Sequence, residues 1–203
     1  MSNRVTAAVE RALDDRQRGA TEEVERILAA AVRVMERVAP EAPRVSDIVA
    51  EAGSSNKAFY RYFAGKDELI LAVMERGVAI VVSYLQHQMD KEFSPQDKIA
   101  RWIEGTLAQV AEPDLISKSR AAAGQMSANT NWRTVDQEMM WPLRDLLTDP
   151  VAALGSSDVE RDVEAVFCCT AATMRRYLGS AERPAPDDIA HVVQFCLNGL
   201  GAG

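Results

Sequence analysis

Residues 45–63 read VSDIVAEAGSSNKAFYRYF, and their spacing decides the fold. Val45, Ile48, Val49 and Ala52 recur at i, i+3, i+4 and i+7, which is one face of a short helix. Gly53 supplies the backbone freedom that ends such a helix without a Cβ penalty. Ser54 and Ser55 follow, and either hydroxyl can cap the next helix by accepting a bond from an orphaned backbone N–H. That second helix, 56–63, has two faces. At 100° per residue Ala58, Phe59, Tyr62 and Phe63 gather on one side, and Asn56, Lys57, Tyr60 and Arg61 on the other. The first set can bury; the second offers an amide, two cations and a phenol to a partner. Two short helices joined by a tight glycine turn, the second with a cationic outer face, form the pattern of a helix-turn-helix. A helix of this size fits the major groove, with its N-terminal residues against the base edges.

The longer stretch AEAGSSNKAFYRYFAGKDEL, residues 50–69, resembles the DNA-binding signature of the tetracycline-repressor (TetR) family. Ala52, Gly53, Ser55, Tyr60, Phe63, Lys66 and Leu69 match it. Phe59 stands where leucine is usual, Tyr62 where histidine is usual and Ser54 where an apolar residue is usual. The likeness runs from about Glu22 to Gly77; beyond it only the helical layout is similar.

Composition sets the frame for these motifs. The chain has 203 residues, 47% of them apolar and 26% charged, which suits a globular protein with a sizeable core. No apolar run approaches the roughly 20 residues needed to span a bilayer. The N-terminus also lacks the apolar centre of a signal peptide, so no membrane partner and a cytoplasmic location are expected. Cys168, Cys169 and Cys196 lack CxxC spacing and fall in apolar stripes; they are read as buried thiols, with neither metal nor cofactor expected.

The net charge of −7 looks unsuited to DNA until it is divided. Residues 1–65 carry ten basic and ten acidic side chains, whereas 66–203 carry thirteen and twenty. Around the expected groove reader, Arg44, Lys57, Arg61 and Lys66 outnumber Asp47 and Glu51. An acidic body with a locally positive tip discourages indiscriminate phosphate binding and leaves a specific footprint.

In chain order, 1–20 is expected to be a flexible or weakly helical N-terminal arm, whose arginines could enter a minor groove. Residues 21–66 form the helix-turn-helix domain and 67–203 a helical effector-binding and dimerisation domain. Thr21 is read as the N-cap of a first helix running to Val38 and stopped by Pro40 and Pro43. Arg44 is a poor cap for the second helix but a good phosphate ligand. Lys66 is a cation at the start of a long fourth helix, where the macrodipole disfavours it unless a phosphate lies over that end. Taken with the resemblance, the DNA-binding set is Thr21, Arg44, Ser55, Asn56, Lys57, Tyr60, Arg61, Tyr62 and Lys66.

After Pro95 come helices through Ile99–Val110, Leu115–Ala128 (short and rich in small residues), Asn131–Leu147 (with Pro142 inside), and two amphipathic ones, Asp158–Leu178 and Asp187–Leu200. No strand-like alternation or internal repeat occurs, so the expected fold is all-α. Tryptophan and methionine concentrate in the second half, a composition suited to an apolar small-molecule cavity and equally to a packed core. The resemblance implies an effector site here. Trp102, Leu107, Met126, Trp132, Met139, Phe167 and Met174 are the candidate lining, with Gln125, Asn129 or Arg133 as a polar anchor. It also implies a homodimer through the last two helices, with Val163, Phe167, Val193, Cys196, Leu197 and Leu200 in or near the seam. A two-fold pair would reach major grooves about 34–36 Å apart or somewhat more, so the expected operator is an imperfect palindrome.

The functional expectation is a transcriptional regulator, a repressor released from double-stranded DNA by a small apolar ligand. An enzyme is the first rival and lacks support: His87 and His191 sit on unlike segments, and there is no nucleophile elbow or phosphate-binding glycine loop. The second rival is a DNA-bound structural or adaptor protein whose C-terminal domain takes a protein partner.

Overall fold

The computed structural model describes residues 3–128 and 133–201, leaving aside the side chains of 3, 5, 126–128 and 133–137; all regular structure in it is helical. The chain divides into two compact units, Met1–Val73 and Met74–Gly203. The first holds α1 (Asn3–Val38), α2 (Val45–Glu51), α3 (Asn56–Tyr62) and the opening turns of α4 (Lys66–Met89). In the second, the rest of α4 precedes α5 (Pro95–Ala111), α6 (Pro113–Ala128), α7 (Arg133–Asp145), α8 (Thr148–Ala153), α9 (Val159–Leu178) and α10 (Pro186–Gly199).

In the first unit the stripes seen in the sequence meet. Ile27, Ala31, Val34 and Met35 of α1, Ile48 and Val49 of α2, Phe59 of α3 and Leu69 and Ile70 of α4 are all buried. Phe59 is wholly enclosed, edge-on to Tyr60 at 5.1 Å and tilted against Phe63 at 5.7 Å. Burying an aromatic ring of this size contributes on the order of 2–3 kcal/mol, so Phe59 anchors α3. The turn before it is chemically specified. Gly53 adopts φ +59°, the left-handed region that a side chain disfavours. Its N–H donates to Ala50 and that of Ser54 to Val49, the two bonds of a Schellman stop. Ser55 then starts α3, its hydroxyl accepting from Ala58 N at 3.1 Å.

In the second unit α5 is the central element, packing against α6, α8, α9 and α10. Ser94 caps it, accepting from Asp97 N at 3.0 Å, and Pro95 occupies its first turn, where a missing N–H costs nothing. Ile99, Trp102, Ile103, Leu107 and Val110 are fully enclosed, and the Trp102 indole N–H donates to the Leu143 carbonyl at 2.9 Å. Gly105 lets α5 approach α4: a Cβ there would collide with Leu85 Cδ2.

Two helix expectations need correction. The first helix does not begin at Thr21. It begins at Asn3, and the Thr21 hydroxyl donates back to Gln17 O at 3.0 Å inside α1 instead of capping it. Alanine and long charged side chains are strong helix formers, and the segment before Thr21 contains no proline to stop the helix. The helix expected through Leu147 ends at Asp145, and α8, absent from the sequence reading, follows it. A six-residue helix spans too few turns for a stripe to register. Pro142 lies inside α7, whereas the expected start at Asn131 falls outside the described residues.

Candidate nucleic-acid interface and ligand cleft

The two faces of α3 separate as the 100° spacing predicts. Ala58, Phe59 and Phe63 are buried and Tyr62 is half-buried, while Asn56, Lys57, Tyr60 and Arg61 are exposed. Tyr60 keeps 61% of its surface, unusual for a tyrosine beside a closed aromatic core. Arg44 is the residue preceding α2; it is exposed and makes no side-chain cap, so its guanidinium is available to a phosphate. Lys66 opens α4 and is half-exposed. Two residues on, Glu68 accepts from Ala64 N at 2.5 Å. Ser55 spends its oxygen on the cap, leaving its proton for an outside acceptor. Thr21 is exposed but sits one turn before Glu25, within α1.

Two carboxylates hold this face in place. Glu23 of α1 accepts from Ser54 at 3.2 Å and from Tyr62 Oη at 2.9 Å, and lies 4.0 Å from Arg61. One side chain thus grips both ends of α3. These donors favour its ionised form, chiefly the Tyr62 hydroxyl, and hold its acidity below the ordinary carboxylate value. Glu51 of α2 receives Arg33 at 2.8 Å and Arg37 at 3.1 Å from α1. Its pKa is lowered for the same reason, with the Arg33 hydrogen bond the largest cause. Neither clamp was legible in the sequence, where Glu23 counts only as one acid among several in a helical run. Pairing it with Tyr62 requires the crossing of α1 over α3.

The expected ligand residues divide. Trp102 and Leu107 are packed solid in the second unit's core, and Phe167 and Met174 lie against it, Phe167 at 6.3 Å from Trp102. Met126 and Trp132 lie outside the described side chains, as do Asn129 and Arg133. Gln125 is buried. Of the five candidates whose side chains are described, Met139 alone lines a cleft of about 470 Å³, formed by α4 and α7 within the second unit. Val78, Ala79 and Val82 of α4 face Met139 and Pro142 of α7 across it, and Glu75, Ser83, Gln86 and Glu138 complete its lining. A polar-looking α4 face hid it, because a cleft wall does not need the strict apolar period of a core stripe.

Of the expected seam, Val163 and Cys196 are buried within one chain, and Phe167, Val193, Leu197 and Leu200 are half-buried. Phe195, which lies off the α10 stripe, is 63% exposed. Burial pushes the Cys196 thiol up to about 12, with Cys169 beside it, so it stays protonated and inert at neutral pH. Among the described residues there is no group of three or more His, Cys, Asp or Glu that could hold a metal. No helix among them is long and apolar enough to cross a membrane.

Fold and head together define an all-α protein with a helix-turn-helix head. Residues 27–73 match the family described as bacterial regulatory proteins, tetR family. The match covers the helix-turn-helix head, from within α1 to the opening turns of α4. The fold is similar along most of its length to several solved regulators. The fatty acid degradation regulator FadR from Bacillus halodurans is 17% identical, with a TM-score of 0.70 over 86% of this chain and 98% of that one. FadR from Bacillus subtilis, solved in complex with stearoyl-CoA, is 17% identical, with a TM-score of 0.67 over 87% and 96%. A TetR-like regulator from Rhodococcus sp. RHA1 is 23% identical, with a TM-score of 0.64 over 89% and 97%. No curated protein matches the sequence.

Proposed function

We propose that the protein is a homodimeric repressor that binds a palindromic operator and is released by a small molecule with an apolar body. The observation that carries the DNA half is the exposed amide–ammonium–phenol–guanidinium face of Asn56, Lys57, Tyr60 and Arg61 over a closed aromatic anchor. Asn56 and Lys57 open α3 and are suited to base edges. Tyr60, Arg44, Ser55 and Lys66 suit phosphate, and Arg61 must exchange its weak contact with Glu23 for one. Tyr62 acts from behind by holding α3 through Glu23. Thr21 would approach phosphate only from the flank of α1.

The effector half rests on the cleft beside α4, whose size is ordinary for a small-molecule site. Lys66–Val73 of α4 belongs to the first unit and Met74–Met89 to the second. A ligand that moves this helix changes the spacing of two paired heads, and simultaneous binding of two half-sites is sensitive to that spacing. The released state gains only the ligand's preference for it. The dimer would form through the outward sides of α9 and α10, with Phe195 and the half-buried Phe167, Val193, Leu197 and Leu200 supplying apolar area.

The test is in-vitro selection of bound duplexes with the full chain, then a small-molecule screen for release. The expected result is an imperfect palindrome bound by two chains and freed by a subset of apolar compounds. Enrichment of a single half-site by one chain overturns the dimeric reading. DNA binding indifferent to every compound, with a protein captured instead, favours the adaptor reading.

A further inference from the structure

We infer that the α4–α7 cleft selects a lipophilic cation, a protonated or quaternary centre carried on an apolar body. This rests on the effector reading above and adds the ligand's charge. The cleft's body is apolar: Val78, Ala79 and Val82 on one wall, Met139 and Pro142 on the other. Among the described residues its only charged lining is two carboxylates, Glu75 from α4 and Glu138 from α7, one on each wall, with no lysine, arginine or histidine beside them. Neither carboxylate has a hydrogen bond or ion pair among the described residues, in contrast to Glu23, Glu51, Glu92 and Glu164, each held by an arginine. Two unpaired negative charges beside a low-dielectric wall attract a cation more strongly than either would in open water. A ligand bearing phosphates or a carboxylate would meet the same two charges as repulsion. No aromatic ring is among the described lining residues, so among them recognition of the positive centre falls to these carboxylates and not to a cation–π cage.

The experiment uses the full chain and two probes of the same shape and opposite charge, tetraphenylphosphonium and tetraphenylborate, titrated by calorimetry. The expected result is one phosphonium per chain, with the borate at least about tenfold weaker. The Glu75→Gln/Glu138→Gln double variant should lose about tenfold in phosphonium affinity and narrow the gap between the probes. Both side chains are exposed, so its melting temperature should stay near that of the natural chain, and that melt is the control for folding. Equal affinity for the two probes overturns the inference, as does an unchanged double variant. Borate binding that releases DNA overturns the cation preference while leaving the effector reading intact. Failure of both probes overturns the inference, and the general screen then judges the effector reading separately. Phosphonium affinity that falls as self-association rises would show a second copy seated in the cleft, which also overturns it.

Discussion

The Tyr62 hydroxyl donates to Glu23 at 2.9 Å, joining the last residue of α3 to α1 across 39 positions of sequence. The same carboxylate receives Ser54 immediately before α3. The angle at which α3 presents its outer face is therefore set from behind by one side chain. Removing that grip without touching the outer face tests its role. Tyr62→Phe should keep the helical signal and weaken operator affinity roughly 2- to 10-fold, the worth of one ordering hydrogen bond. Circular dichroism and fluorescence anisotropy on the selected duplex check both parts, and unchanged affinity would show that the bond is idle.

Lys57 and Lys66 should fail in different ways. Lys57 stands on the exposed face of α3 in its first turn, so Lys57→Ala should cost about 1–3 kcal/mol on the best sequence and relax preference at one base position. Lys66→Ala should weaken all duplexes alike and lower the salt slope by about one. Binding measured over a panel of single-base variants at two salt concentrations separates the two outcomes. Sequence-dependent losses at Lys66 would contradict its assignment to phosphate.

Acid should loosen the head. Glu23 and Glu51 both titrate below the ordinary carboxylate value when folded, chiefly through the hydrogen bonds from Tyr62 and Arg33 respectively. A carboxylate with a depressed folded pKa adds stability above its unfolded value, and that stability is lost as pH falls through the folded one. Melts from pH 6 down to pH 3 should show the natural chain losing its advantage over Glu23→Gln/Glu51→Gln. A constant difference between the two across that range would contradict the clamps.

Two glycines in helices should respond oppositely to alanine. A Cβ at Gly105 meets the enclosed Leu85, so overpacking of about 1–3 kcal/mol should exceed the roughly 1 kcal/mol that alanine returns in helix propensity. A Cβ at Gly77 of α4 would meet nothing within 4 Å, and alanine there should stabilise by about 0.5–1 kcal/mol. Denaturant midpoints check the pair. A stabilising Gly105→Ala would mean that Leu85 swings aside at little cost.

Much of the head was legible because its signals are local. Gly53 at a left-handed turn, Ser55 as a cap and the period of Phe59 and Phe63 each specify the backbone within four residues, and a local code survives without knowledge of the fold. The exposed surface of α3 follows from the same period. The ligand residues were far less legible. Trp102 and Met139 carry similar sequence cues, yet Trp102 is sealed by Leu143 and the α5 core while Met139 lines open space.

By itself, then, the sequence determined the helical class, the turn between α2 and α3 and which side of α3 stays outside, since each depends on residues within one or two turns. Only the tertiary structure decided that Glu23 and Glu51 lock the head, that α1 runs unbroken from Asn3, and that space remains between α4 and α7 but not around Trp102. Those outcomes depend on which helices cross and how closely their side chains fill the gap. Pairings of that kind span tens of residues, and no periodicity along the chain encodes them.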